Sequence, residues 1–512
     1  MSTPALLGNL PAAWALALPL LVPLLVAGGA LLFPDRARLQ NALGLLGGGL
    51  LLGSGIIILK GSLAGPLPSV RMGGWPQGVG ISLGADPLTG LMLTLAGVMA
   101  CVTLLYAAED RRRSPFVVPL VMVTLLGVNG AFLTRDLFNL YVWFEVLLAG
   151  SFGLLVVTGG AAGREAAVKS LTLNLLGSLF FLLAVGATYG VAGTLDMTLL
   201  QDRLGLVFAQ RPALVTGLAM LLVAAFAVKA ALFPFHSWLP ASYHVPPAGV
   251  CALFAALLTK VGIYSLLRVL TLPFSAVEGP LPLLGIMAAA TMLIGVFGAV
   301  TRQEMKSILA WHSISQVGYM AAGVVLLTAP EPEVRIAGVA ASVFFLIHHG
   351  LVKPALFLVA GLVARLQGTT YLPSNGGLYQ ERPALAVLFL LAALSLVGIP
   401  PLSGFWAKLG VVQATLAAGQ GWLTAAALGA GIVTMMSMIK IWNEVFWKAR
   451  PETGDDDHAG NGQARWVATL ALTVLITLVG LQPRPLLNWS EKAAVALMAD
   501  RDRTLDSGEA QP

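Results

Sequence analysis

Lysines inside apolar segments, next to prolines, are the residues of this chain whose type and position point most directly to chemistry. Lys229 lies about ten residues from either end of one apolar run, Lys260 lies inside the next, and four prolines between residues 234 and 247 interrupt the join. A proline removes a backbone donor and clashes with the preceding turn, so a helix breaks there. In a bilayer such a break is tolerated only where it lines a cavity or is buried in protein. An ammonium group at the bilayer centre costs roughly 3 kcal/mol on insertion scales. We therefore expect a polar path inside a membrane; lysines that reach the interface with their amines are the alternative.

A carboxylate in the middle of another apolar run is the natural partner of Lys229. Glu145 lies in the segment LYVWFE. Removal from water disfavours a carboxylate, so it must be neutral or paired. We expect Glu145 and Lys229 to form a pair that switches protonation state. Asp136 lies at the start of the same predicted helix, where capping is its expected role.

Two histidines and a third lysine form a second candidate cluster. His349 and Lys353 are four residues apart and share one helix face, and His348 lies one step round. Imidazole titrates near neutral pH, so a histidine beside a buried lysine can relay protons. For His348, a secondary candidate, a hydrogen bond to a neighbouring backbone group is an equal alternative.

The remaining candidates lie near prolines or helix ends. Lys408 follows the proline pair 400–401 and ends the series of lysines, and His244, a secondary candidate, lies in the broken join after Lys229. Segment 311–319, WHSISQVGY, offers further polar side chains. Its His312 is expected near a helix end, where a structural role is the better interpretation.

The signs of these buried charges indicate which ion they serve. Most are ammonium and imidazole groups, which carry protons but repel metal cations, whereas a sodium site needs several oxygen ligands. We expect a proton path, with sodium crossing elsewhere. The two cysteines fit neither a metal nor a disulfide spacing. The glycine-rich segment 44–55 lacks the Gly-Lys-Ser/Thr ending of a phosphate loop, and we expect no cofactor and no metal.

Composition places these residues in a membrane protein. The chain has 512 residues, of which 57% are hydrophobic and 11% charged, whereas a soluble domain carries roughly 25% charged residues. The net charge of +6 does not indicate nucleic-acid binding, because the basic residues lie singly or in short loops.

About fourteen apolar runs are long enough to span a bilayer, which predicts an all-α membrane protein. The runs are 11–33, 39–60, 85–106, 114–133, 136–158, 165–191, 213–240, 246–270, 281–300, 305–327, 335–365, 383–417, 421–447 and 465–485. Internal prolines predict discontinuous helices in the seventh, eleventh and twelfth runs, at Pro234, Pro354 and the 400–401 pair.

Loop charge predicts the orientation of the chain. Loops after odd-numbered runs carry fourteen Lys and Arg residues, and loops after even-numbered runs carry seven. The positive-inside rule therefore places the loops after odd-numbered runs in the cytoplasm. Both termini would then lie on the outer side of the cell inner (plasma) membrane.

Interrupted helices in two corresponding places indicate inverted repeats. We predict helices 1–3 in residues 1–110, a first five-helix repeat (helices 4–8) in 111–275, and a second (helices 9–13) in 276–450. Residues 451–512 would then hold an acidic loop, helix 14 and a polar tail.

Several segments resemble the proton-translocating antiporter-like subunits shared by complex I, membrane-bound hydrogenases and multisubunit Mrp sodium/proton antiporters. They are LYVWFE, VKAALFPFHSWLPASYHVPPAGV, LLTKVGIYSLLR, LAWHSISQVGYM, HHGLVKPALFL and GIPPLSGFWAKLG. LFNLYVWFEVLL, AWHSISQVGYM and the length resemble the D subunits of the Mrp complexes. The resemblance implies fourteen helices with two inverted five-helix repeats, partner subunits and coupling to sodium exchange. It also implies a proton path through Glu145, Lys229, Lys260, His349, Lys353 and Lys408.

Three functions compete at this point. The first is a subunit of a multisubunit Na⁺/H⁺ antiporter, which is not an enzyme; its partners are the other subunits, the bilayer, protons and, indirectly, sodium, with no nucleic acid. The second is the proton-pumping membrane subunit of a complex I-type or hydrogenase redox complex. The third is a membrane scaffold without a path, in which the buried lysines would tolerate replacement by methionine.

Overall fold

The computed structural model describes residues 12–75, 78–109, 114–450 and 462–508, and these are almost entirely helical. The helices are α1 Ala12–Leu31, α2 Ala37–Ala64, α3 Pro87–Ala107, α4 Val117–Leu133, α5 Leu137–Thr158, α6 Gly160–Ala192, α7 Met197–Gln210, α8 Pro212–Ala230, α9 Trp238–Ser242, α10 Ala248–Thr271, α11 Leu281–Val300, α12 Met305–Val325, α13 Pro332–Gln367, α14 Leu378–Glu381, α15 Pro383–Val397, α16 Ser403–Ala417, α17 Gly421–Ile441, α18 Gln463–Leu481 and α19 Arg484–Gly508. Two short strands, β1 Val70–Arg71 and β2 Ser82–Leu83, pair antiparallel. Most of the expected acidic loop, residues 451–461, lies outside the described residues.

The helices have the lengths and compositions that a bilayer requires. Within the described residues, eleven are long and apolar enough to cross a membrane, with Pro212–Ser242 taken as one discontinuous span. Two shorter apolar helices, α4 and α15, accompany them. The prediction of an all-α, multi-pass membrane protein is confirmed, whereas the count of fourteen spans stays a prediction.

Two of the three predicted helix breaks are present. Helix α8 ends where Ala231 adopts a left-handed backbone with φ of 58°, and the chain becomes helical again near residue 235. Helix α15 ends at Gly398, with φ of 97°, and α16 begins at Ser403. Left-handed backbone ends a helix because its hydrogen-bond ladder cannot continue. The breaks leave backbone carbonyls free to receive other donors.

The expected break at Pro354 is wrong. Helix α13 runs from Pro332 to Gln367 without interruption and contains this proline. A proline deletes one amide donor, but packing on all sides can hold a membrane helix together across that gap. The most apolar part of α13 is completely buried, so its neighbours supply that packing.

Glycines reveal similar packing in the two halves of the chain. In each half, two glycines three residues apart on one helix contact two residues four apart on the next, where an added Cβ would collide. The pairs are Gly127–Leu147 and Gly130–Trp143 between α4 and α5, and Gly295–Ser315 and Gly298–Trp311 between α11 and α12. Each residue of the second set lies 168 positions after its counterpart. This correspondence supports an internal repeat; the boundaries 111–275 and 276–450 stay predictions.

Helices α10 and α13 form the centre of the bundle. The most apolar windows of both are completely buried, and α12 packs against each of them. Because α10 carries Lys260 and α13 carries the histidine cluster, these residues lie at the centre of the fold, whereas Glu145 on α5 and Lys408 on α16 are only half-buried.

Candidate functional site

The Glu145–Lys229 pair is joined by a hydroxyl group that sequence reasoning missed. Lys229, buried in the last turn of α8, donates from Nζ to the Ser178 hydroxyl at 3.2 Å and to the backbone carbonyl of Asn174 at 3.2 Å. Ser178 in turn donates to Glu145 Oε1 at 2.5 Å. The predicted pair is therefore bridged through Ser178, and Lys229 Nζ also lies 5.9 Å from the Phe144 ring centroid.

A small cavity connects Lys229 to further polar side chains. The cavity has a volume of about 20 Å³, which is enough for one water molecule. Lys229, Ser151, Ser170, Asn174 and Ser242 contribute its polar lining. Ser170, Asn174 and Ser178 recur every four residues on α6, a spacing that places them on one helix face.

Lys260 is completely buried in the middle of α10. Its Nζ donates to the Ala255 carbonyl oxygen at 2.5 Å and lies 3.4 Å from the Thr259 hydroxyl. Across the described ranges no carboxylate forms an ion pair with it. Such an amine has an acceptor but no fixed counter-charge.

The histidine cluster of α13 faces two different helices. Lys353 Nζ donates to the Leu309 carbonyl of α12 at 2.6 Å. His348 Nδ1 lies 2.9 Å from the Ser403 hydroxyl at the start of α16, and that hydroxyl lies 2.9 Å from Ser395 Oγ. In the part of the chain that is described, both ring nitrogens of the buried His349 lack a protein partner. Buried polar atoms of this kind need water or a moving proton donor to satisfy them.

Lys408 lies beside the second helix break, as the sequence predicts. Its Nζ donates to the Val397 carbonyl at 2.7 Å, a carbonyl freed by the end of α15, and lies 5.3 Å from the Tyr319 ring centroid. A cavity of about 340 Å³ adjoins it, lined also by Gly398 and Gly431.

His244 and Asp136 contact backbone groups. His244 Nδ1 lies 2.7 Å from the Pro240 carbonyl oxygen, and its secondary role in the path stays a prediction. Asp136 accepts from the Asn139 amide at 2.8 Å, so the capping role expected for it is confirmed. Burial, assisted by the charge of Asp196, raises the pKa of Asp136 to about 6.

The raised pKa of Asp136 predicts a pH-dependent stability. A carboxyl group whose pKa rises on folding favours the folded state below its ordinary value of 3.8, and this contribution is lost as pH rises through about 6. Asp136→Asn keeps the cap and removes the charge. We expect the variant to be more stable than wild type at pH 8, by roughly 1 to 3 kcal/mol, and equal to it near pH 4. Thermal unfolding in detergent at both values measures this; an equal difference at the two values would contradict it.

The serines and the asparagine were missed because they are neutral. Serine and asparagine are common in packed membrane helices, so Ser178, Asn174, Ser403 and Ser395 do not stand out in the sequence. Asn174 contacts Lys229 through its backbone carbonyl, so the sequence signal for this pair is limited to the four-residue spacing of Asn174 and Ser178 on α6. Ser403 gives no comparable signal, because its partner His348 is 55 residues away in the chain.

A multi-pass helical fold with titratable groups on its central helices and beside its helix breaks is typical of ion-translocating integral membrane subunits. Residues 134–434 match the family model described as the transmembrane region of NADH:quinone oxidoreductases and Mrp antiporters.

Sequence and structure comparisons narrow this class. The chain is 36% identical to the D subunit of the Na⁺/H⁺ antiporter of Alkalihalophilus pseudofirmus, across 93% of this chain and 96% of that protein. A chain in the structure of the Mrp complex from Dietzia sp. DQ12-45-1b has 32% identity and a TM-score of 0.86, across 95% of this chain and 98% of that one. A chain of the archaeal membrane-bound sulfane sulfur reductase has 25% identity and a TM-score of 0.84, across 97% and 99%. The chain therefore belongs to the family of Mrp antiporter D subunits.

Proposed function

We propose that this chain is the proton-carrying D subunit of a multisubunit Na⁺/H⁺ antiporter in the cell membrane. One observation carries the proposal: four lysine amines inside the bundle each donate to a backbone carbonyl. The donors and acceptors are Lys229–Asn174, Lys260–Ala255, Lys353–Leu309 and Lys408–Val397. A carbonyl accepts from an ammonium and from a neutral amine alike, so each lysine can lose a proton without losing its position.

The first step would occur at Glu145, Ser178 and Lys229. Lys229 gives a proton to Ser178 Oγ while the hydroxyl proton passes to Glu145; one N–H and one O–H bond break, and two O–H bonds form. The result is a neutral amine, an unchanged serine and a protonated carboxyl group. Reversal of the step restores the charged pair, so Glu145 controls the charge of Lys229.

Later steps would use the central groups. Lys260 and Lys353 exchange protons with His349, whose two nitrogens can accept on one side and release on the other. His348 and Ser403 extend the route from α13 to α16, which carries Lys408. Lys408 then releases the proton into its adjoining cavity.

Sodium would cross in a partner subunit. The amines of this path repel metal cations, and the path contains a single carboxylate, Glu145, whereas a sodium site needs several oxygen ligands. Coupling requires that the proton path and the sodium route belong to one complex. The proton-motive force would then drive sodium exchange.

A redox-driven pump is the second candidate, because the archaeal reductase chain has the same fold and is 25% identical in sequence to this chain. The higher identity to the antiporter protein favours exchange. Purification of the native complex followed by mass measurement of its subunits separates the two. Partners limited to membrane subunits support the antiporter; iron–sulfur or nickel subunits support the redox complex.

We further propose that both termini lie on the outer side of the membrane. The support is the excess of Lys and Arg in alternate loops, although three of these arginines, 111–113, lie outside the described residues. Single cysteines placed at each terminus and labelled from outside in intact cells test this orientation.

Ser178→Ala tests the hydroxyl bridge. We expect Na⁺-dependent proton exchange to fall about fivefold, the worth of one hydrogen bond of about 1 kcal/mol, because Glu145 and Lys229 lose their link. Ser178→Thr keeps the hydroxyl and should keep the rate. The assay uses everted vesicles carrying the complete complex in a strain without other Na⁺/H⁺ antiporters.

Thr172→Ala is the matched control for this variant. Thr172 lies on the same helix, is exposed, and donates to the Val168 carbonyl of its own helix. A Ser178→Ala complex that exchanges as fast as the control would remove Ser178 from the path.

A further inference from the structure

One face of α12 carries His312 and Gln316, polar residues that the proposed path does not use. Leu309, His312, Gln316 and Tyr319 are spaced three, four and three residues apart, so they lie along a single stripe of the helix. Ser315 lies beside it. The stripe is about 15 Å long at the helical rise of 1.5 Å per residue.

The middle of this α12 stripe consists of buried polar atoms without protein partners. His312, Ser315 and Gln316 are completely buried. Within the described residues, both ring nitrogens of His312, both amide atoms of Gln316 and the hydroxyl oxygen of Ser315 have no hydrogen-bond partner in the protein. An unpaired buried polar group costs roughly 1 to 3 kcal/mol, and five such atoms within two turns are too many for a packed core. Ordered water bound between them removes that cost.

The two ends of the α12 stripe contact two lysines of the proposed path. At one end the Leu309 carbonyl accepts from Lys353 Nζ at 2.6 Å. At the other end the Tyr319 ring lies 5.3 Å from Lys408 Nζ. His312 lies within electrostatic range of both lysines. The stripe thus extends from the α13 cluster to the second helix break.

We propose that His312 is a proton-carrying residue and that Gln316 and Ser315 hold the water that connects it, forming a direct segment from Lys353 to Lys408. This inference rests on the proposed function. The imidazole takes a proton from Lys353 at one nitrogen and releases its other proton toward Lys408 through water, so one N–H bond forms as another breaks. Gln316 cannot change protonation state; it orients water only.

The contact between His348 and Ser403 offers a second connection from α13 to α16. Two connections in parallel make a distinct prediction. Loss of His312 alone should slow exchange, and loss of both His312 and His348 should slow it further.

The test uses the complete complex in everted vesicles, with Na⁺-dependent proton exchange and thermal stability in detergent both measured. His312→Gln keeps a polar group that binds water but cannot carry a proton, and His312→Phe removes both. We expect each to assemble and to lose about tenfold in exchange rate, less than the roughly hundredfold typical for loss of one acid–base group, because the His348–Ser403 connection remains. Full rate in either assembled variant overturns the proposal. A normal rate in His312→Gln with a low rate in His312→Phe also overturns it, because His312 would then serve only to hold water.

Gln316→Met supplies the second measurement, so that the test survives poor assembly of a His312 variant. It should slow exchange without lowering the unfolding temperature; an unchanged rate overturns the hydrated segment. Glu145→Gln, assayed in parallel, separates this inference from the proposed function. If Glu145→Gln abolishes exchange and the His312 variants do not, only the α12 segment fails; if neither has an effect, the proton path itself fails.

Discussion

Glu145→Gln is expected to lower Na⁺-dependent proton exchange by roughly tenfold or more, because it removes a group that must gain and lose a proton. The amide keeps an oxygen where Ser178 now donates at 2.5 Å, so packing around α5 and α6 should be maintained. The rate is measured in everted vesicles carrying the complete complex, and assembly is measured by co-purification of the partner subunits.

Glu165→Gln is the matched control for this substitution. Glu165 is an exposed carboxylate that pairs with Lys169 near the start of α6, a location where an ion pair contributes little. The complex with Glu165→Gln should exchange protons at the wild-type rate. A Glu145→Gln complex that assembles and equals this control would show that Glu145 takes no part in transport.

Lys260→Met is the second substitution with a large expected effect, since it removes a buried amine from the middle of α10. Exchange should fall below about a tenth of the wild-type rate. Methionine fills a similar volume and avoids burying an amine, so the unfolding temperature of the complex should stay equal or rise. Transport would then be lost from a protein that is no less stable.

This combination separates a path from a scaffold. In a scaffold without a path, the lysine-to-methionine replacement would be tolerated in both measurements, with the exchange rate as well as the unfolding temperature unchanged. Lys440→Met is the control, because Lys440 donates to the Val300 and Arg302 carbonyls at a helix end. An unaffected rate in Lys260→Met would contradict the proposed order of steps.

Much of this arrangement could be predicted from single residues because the bilayer penalises each one strongly. A lysine in an apolar run and a proline pair are visible without any knowledge of neighbours. That is why the breaks at Ala231 and Gly398, and the lysines beside them, lie where the sequence indicates. Pro354 shows the limit of this reasoning, since its effect depends on how tightly other helices surround it.

Prediction of the bridging groups required knowledge of which helices are adjacent. Ser178 contacts residues 33 positions before it and 51 after it, and Ser403 contacts His348 from 55 positions away. Such neutral side chains carry no signal of their own. His312 illustrates the reverse case, because the sequence suggested a helix end, whereas the structure places it wholly inside the protein with neither nitrogen bonded to another described residue.

In the described ranges, Lys260, Lys353 and Lys408 have no carboxylate within ion-pair distance. Ammonium groups without a nearby carboxylate repel one another, most strongly where the surroundings have a low dielectric constant. Protonation of one amine therefore disfavours protonation of the next, and arrival of a proton at one favours departure from another. This repulsion would set the direction of transport, because protons that enter at one end of the path would drive release of protons at the other end. No large movement of a helix is required.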